Sequence, residues 1–188
     1  MLSTLLQPDL AIDSHRPMKT LINVLIYQSI WFLSILGGNS GAWFGLLLLC
    51  AHLFYSATKS ADLRMIGALF VAGLLLDGTL HQVGFFSFTE TGFPIPFWLL
   101  VIWLGLAITP NHSLAWLQKK PLLAMLFGTL GGPIAYWAGV RMGAAHFNWE
   151  LLPSLGTLAV IWGLLWPLVM HLSVISTKRS QTRLLTHK

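Results

Sequence analysis

Three ionisable residues fall in or beside apolar stretches where charge is costly: Asp77, His81 and Arg141. A charged side chain at the centre of a membrane helix costs roughly 2.5–3.5 kcal/mol on insertion scales, so such residues are candidate sites by default. His81 follows Asp77 by four residues, which places both on one helix face. A carboxylate, an imidazole and a guanidinium in one layer, joined by Gln82 and Tyr136, would suit proton exchange or ligand binding. The competing reading is a structural pair that locks two helices together.

A second set lies toward the opposite side. Asn111 and His112 follow Pro110, with Asn23, His52 and His171 expected at a similar depth. Proline frees backbone carbonyls, which are tolerated at membrane depth only against protein or a water-filled cavity. Pro110-Asn111-His112-Ser113 is therefore a candidate cavity lining, and a plain capped helix end is the alternative.

Other matches fail on context. Gly38-Asn39-Ser40-Gly41 has the spacing of intramembrane serine proteases, but Ser40 and His171 are expected on opposite sides. Gly128 to Gly132 lacks the Gly-Lys-Ser/Thr ending of a phosphate loop. His146 and Glu150 are spaced to touch one metal, yet two ligands in an outer loop do not define a site. No metal and no cofactor is expected. The lone Cys50 lies in an apolar run and excludes an internal disulfide.

The elements that must hold these residues follow from hydropathy. Charged residues are 9% of the 188 and hydrophobic ones 55%, against about a quarter charged in a soluble domain. Most of the surface must therefore face lipid. A spanning helix needs ~20 mostly apolar residues. Six runs approach that length: Thr20–Leu36, Ala42–Ala57, Met65–Val83, Pro94–Ile108, Leu122–Val140 and Leu151–Ile175. The fold class expected is all-α, a polytopic membrane protein with a bundle of six transmembrane helices. The domain reading is a tail over 1–19, a membrane domain over 20–176 and a basic tail over 177–188. Translation from Met1 and from Met18 are both open. A three-plus-three inverted arrangement is permitted by number, but no internal similarity is evident.

Ten of the eleven Lys and Arg residues fall on one side of this scheme, Arg141 being the exception. That asymmetry puts both termini in the cytoplasm. It also reads the net charge of +5 as topology, with no nucleic-acid partner. Trp43, Trp98, Trp116, Trp149 and Tyr55 lie near run ends, where amphipathic rings prefer the interface. In the fifth run, Gly128, Gly132, Gly139 and Gly143 are spaced for close helix approach. Packing inside the bundle is the first reading and a homo-oligomer face the second. Pro133 is expected to kink that helix.

Four stretches stand out together: Asn23 to Gln28 with Trp31, Leu75-Leu76-Asp77, Asn111 to Trp116, and Gly131-Gly132-Pro133 through Tyr136 and Gly139 to Arg141. With them the chain resembles a family of small bacterial inner-membrane proteins catalogued as domain of unknown function 2878. The resemblance covers Met18 to about Val174. It implies a multi-pass protein of the bacterial inner membrane, assigns no activity, and implies gene neighbours that modify fatty acids. Three functions are weighed on these grounds. The first is an accessory protein of lipid or envelope metabolism, whose partners are membrane lipids or another membrane protein. The second is a small-solute or proton-coupled transporter using Asp77, His81 and Arg141. The third is a membrane-embedded enzyme with His112 or His81 as base, and whether the chain is an enzyme stays open.

Overall fold

The computed structural model describes residues 15–186, with side chains from 17 to 180. The expectations about residues 1–14 and the last two positions lie outside that range. The elements are α1 (His15–Tyr55), α2 (Lys59–Gln82), β1 (Phe86–Phe88), α3 (Phe97–Leu106), α4 (Pro121–Arg141), β2 (Ala145–Phe147) and α5 (Leu151–Thr186), with a 3-10 turn at Ala115–Leu117. Helices α1, α2, α4 and α5 are long and apolar enough to cross a membrane. Large apolar side chains cover their outer faces, such as Leu36, Leu47, Phe54, Leu75 and Leu164. Water would penalise such a surface and hydrocarbon does not, so the chain has the build of a membrane protein.

Helix α1 is two arms. Gly38 has φ 55° and ψ −145°, outside the helical region. There the chain doubles back, so that Gly45 packs on the Cα of Ile30 and Gly41 lies against the carbonyl of Leu33. Residues fifteen apart in a straight helix would be about 22 Å apart. The turn is braced from outside: the Asn39 N–H donates to Glu90 Oε2 (2.8 Å), and the Trp98 N–H donates to Asn39 Oδ1 (3.0 Å). The first two apolar runs therefore form the antiparallel hairpin that their glycine-rich junction predicts.

The fourth run departs from expectation. Helix α3 holds only ten residues, about 15 Å of rise, and cannot cross a core of about 30 Å. Pro110 has no N–H and its ring excludes the preceding helical turn. The chain continues to Leu117 in turns while staying buried at Ala107, Ile108, Thr109 and Leu117. Its polar backbone is satisfied locally. Thr109 Oγ1 donates to the Leu106 carbonyl (2.8 Å) and Gln118 Nε2 to the Pro110 carbonyl (2.9 Å). Asn23 donates to the Ile108 carbonyl (3.3 Å) and accepts from the Ser113 N–H (3.2 Å). Non-helical backbone persists at depth only with such partners. Pro133 lies inside α4, which runs on to Arg141, and Trp98 is buried against the protein.

The tertiary structure discloses an internal repeat. The unit α2–β1–α3 recurs as α4–β2–α5 at an offset of 59 residues, the separation of Asp77 and Tyr136. Gly73, Gly84, Phe88, Pro94 and Val101-Ile102-Trp103 recur as Gly132, Gly143, Phe147, Pro153 and Val160-Ile161-Trp162. The two helix ends are built alike. Gly84 and Gly143 have φ of 71° and 82°. The N–H of Phe85 reaches the Leu80 carbonyl as that of Ala144 reaches the Gly139 carbonyl, the bond that closes a helix around a left-handed glycine. The strands pair antiparallel, Ser87 opposite His146. Bonds across them are reciprocal: Thr89 Oγ1 donates to the Gly143 carbonyl (2.6 Å) and Asn148 Nδ2 to the Gly84 carbonyl (3.2 Å). The units are thus related by an approximate two-fold along the bundle, a parallel repeat rather than an inverted one.

Candidate functional site

Two polar constellations sit on this frame. The first lies in the interior, where the repeat units meet. Gly73 lies against the Trp103 ring and Gly132 against the Trp162 ring. The absent side chains let the two indoles come together, stacked at 5.2 Å between centroids and 19° between planes. Asp77 is fully buried beside them. It accepts from Trp103 Nε1 (2.8 Å) and from the Tyr136 hydroxyl (2.6 Å).

The outer layer expected of Asp77, His81 and Arg141 does not form. His81 Nδ1 is 3.1 Å from the Phe86 carbonyl, and Arg141 is exposed at the end of α4. None of the bonds on Asp77 comes from either. Asp77 lies on the face of α2 turned to α3 and α4, whereas His81 is drawn to the strand that follows its own helix. Of the companions considered, Tyr136 meets Asp77 and Gln82 is exposed.

Beside this centre runs a lateral cleft of about 390 Å³ between the first arm of α1 and α4. Tyr27, Gln28 and Trp31 form one wall, and Gly128, Gly131 and Ala135 the other. Gly139 rests against Ile35. A smaller aromatic chamber of about 70 Å³ continues it beneath the two strands, with Tyr27, Trp31, Tyr136 and Trp162 among its walls. Small residues do two jobs here. Gly128 and Gly132 admit Trp162 and Trp166 of α5, as the close-packing pattern predicts, while Gly131 faces open space.

The second constellation is at the opposite end, around Asp62, which is fully buried. Helix α1 ends as the Ser56 N–H bonds the His52 carbonyl, and α2 starts as the Asp62 N–H bonds the Thr58 carbonyl. A carboxylate in a helix's first turn is favoured by the helix dipole. Asp62 Oδ2 accepts from Ser56 Oγ (2.5 Å) and Thr58 Oγ1 (3.2 Å), and lies 3.0 Å from His112 Nε2. Asp62 Oδ1 accepts from Asn111 Nδ2 (3.0 Å), and Thr177 of α5 donates to Asn111 Oδ1 (3.3 Å). His52 lies edge-on to His112, 4.8 Å between ring centres, with its Nε2 3.9 Å from Asp62 Oδ2.

The structure therefore brings together Asn111, His112 and His52 of the inner set. Asn23 supports the turn that carries them, and His171 is exposed on α5. Asp62, between Lys59 and Arg64, is not among the residues that the sequence singles out. One signal was present: it is one of only six acidic residues and lies three positions before the apolar run that begins at Met65. The site also marks where the repeat is broken. Position 62 is a proline, Pro121, in the second unit, and α5 runs on where α3 stops. That stop lets 110–114 fold across Asp62.

Residues 20–168 match the model of a family described as Protein of unknown function (DUF2878), and the chain belongs to that family. No curated protein and no solved structure matches.

Proposed function

Proceeding from a family without an assigned activity, we propose that this is a multi-pass protein of the bacterial inner membrane that takes the hydrocarbon chain of a membrane lipid into its lateral cleft. The observation that carries this reading is the cleft itself, about 390 Å³ between α1 and α4, within the range of roughly 300–1,000 Å³ usual for small-molecule sites. Its walls are aromatic and small side chains, with Gln28 and the Tyr27 hydroxyl as polar points. Phe32 and Ile134 line it and are also exposed on the outer surface, so a chain enters sideways from the bilayer.

The reading has both ends in the cytoplasm and six passages, the fourth completed by the buried segment 107–117. Lys19, Lys59, Arg64, Lys119, Lys120, Lys178 and Arg179 gather toward one end, and Arg141 stands at the other. That distribution supports the orientation. An accessory role in lipid or envelope metabolism, alone or beside a membrane enzyme, follows from this reading. A carrier built on Asp77, His81 and Arg141 is less well supported, because those three do not meet.

The test is mass spectrometry of lipids retained after purification in mild detergent. Gly131→Phe fills the cleft and should abolish retention, while Gly67→Phe, at an outward-facing position with open space, should not. Equal retention by wild type and Gly131→Phe would remove the proposal.

A further inference from the structure

The inner constellation contains an atom without a role. His52 Nε2 is buried and has no hydrogen-bond partner, and its side chain is only 9% exposed. It points at a fully buried carboxylate that a second imidazole already approaches. One ring nitrogen of His52, one of His112 and an oxygen of Asp62 all lie within 4.8 Å of one another.

We propose that His52, Asp62 and His112 bind one divalent d-block cation of the zinc type. Tetrahedral zinc with bonds of about 2.0–2.1 Å holds its ligand atoms about 3.4 Å apart. The 3.0 Å from His112 Nε2 and 3.9 Å from His52 Nε2 to Asp62 Oδ2 bracket that spacing, and the two imidazoles need only draw together from within 4.8 Å. Two imidazoles and one carboxylate match zinc and its neighbours, whereas magnesium and calcium take oxygen ligands.

The supporting groups are in place. Ser56 Oγ and Asn111 Nδ2 hold the carboxylate through its two oxygens, and Thr177 holds Asn111. Ligating carboxylates are ordinarily fixed in this way from an outer shell. On binding, His112 exchanges its contact with Asp62 for the cation and coordinates as neutral imidazole. Three protein ligands leave a fourth position for water, and the opening is on the side of His112, whose side chain is 23% exposed. The inference is independent of the lipid reading. It concerns the other end of the bundle, and a cation there needs nothing in the cleft.

The experiment uses the full chain in detergent, stripped with a chelator and titrated with Zn²⁺ by calorimetry and with Co²⁺ by visible absorption. One equivalent per chain is expected, with the intense bands of tetrahedral cobalt. His52→Gln and Asp62→Asn should each weaken binding by more than about tenfold, and His171→Gln should not change it. No stoichiometric binding by the wild type, a purely octahedral cobalt spectrum, or His52→Gln binding like wild type would each overturn the proposal. The wild-type stoichiometry and spectrum decide the matter even where a variant fails to fold.

Discussion

Asp77 and Tyr136 occupy the same position in the two repeat units and are bonded to each other, hydroxyl to carboxylate, at 2.6 Å. Two helices at equivalent places in the repeat are joined at a position where one carries a carboxylate and the other a phenol. The carboxylate on one side has become an acceptor for the phenol on the other, and Trp103 supplies the second donor. Each donor serves a different oxygen of Asp77, so removing either leaves one buried carboxylate oxygen without that bond. Tyr136→Phe should therefore lower unfolding free energy by about 1–3 kcal/mol, and Trp103→Phe by a similar amount. Thermal unfolding in detergent measures both. A Tyr136→Phe protein as stable as wild type would show the bond to be incidental.

The glycines beside the stacked indoles should be intolerant in parallel. A methyl group at Gly73 would overlap the Trp103 ring, and one at Gly132 the Trp162 ring. Gly73→Ala and Gly132→Ala should each cost about 1–3 kcal/mol by overpacking. Gly131→Ala, one residue away and facing space, should gain about 0.5–1 kcal/mol from the lower entropy of the unfolded chain. Opposite signs at adjacent positions 131 and 132 are the outcome to look for in melting curves.

The hairpin in α1 depends on one backbone conformation. At φ 55° and ψ −145° a side chain is strained, by about 1–3 kcal/mol, and a Cβ on Gly38 would also collide with the Glu90 carboxylate. Gly38→Ala should destabilise the protein by at least that range. Gly37→Ala, with open space around it, should be mild. Protease sensitivity and melting temperature of the two variants provide the comparison.

Topology gives a test that needs no purification. Reporter fusions at residue 118 should be active only with a cytoplasmic reporter, and fusions at residues 90 and 145 only with an external one. The ends tied by the Ser60–Ser180 contact (2.9 Å) should share the side of residue 118. A fusion at 90 that reports the cytoplasm would refute the orientation drawn from the basic residues.

Much of this architecture is written locally in the chain. Apolar run lengths mark the helices, and the glycines around Asn39 mark the hairpin. Pro110 marks the break, and Gly128 and Gly132 mark a close helix contact. Each of these depends on a residue's own chemistry and its neighbours within a turn or two. What the sequence did not show is which face meets which. In a lipid-facing helix both sides are apolar, so no change of polarity says where the interior lies. Depth alone pairs Asp77 with Arg141, while the packed bundle turns it toward Trp103 and Tyr136. Little in the sequence singles out Asp62, which is enclosed only because α3 stops short and 110–114 closes over it. The repeat was equally hidden, because its units share few residue types and are recognisable mainly by reciprocal bonds at their ends. Depth and helix length are set by transfer into hydrocarbon, one segment at a time. The meeting of His52, Asp62 and His112, and of Asp77 with Tyr136, is set by rotation and contact between segments, which only the folded chain decides.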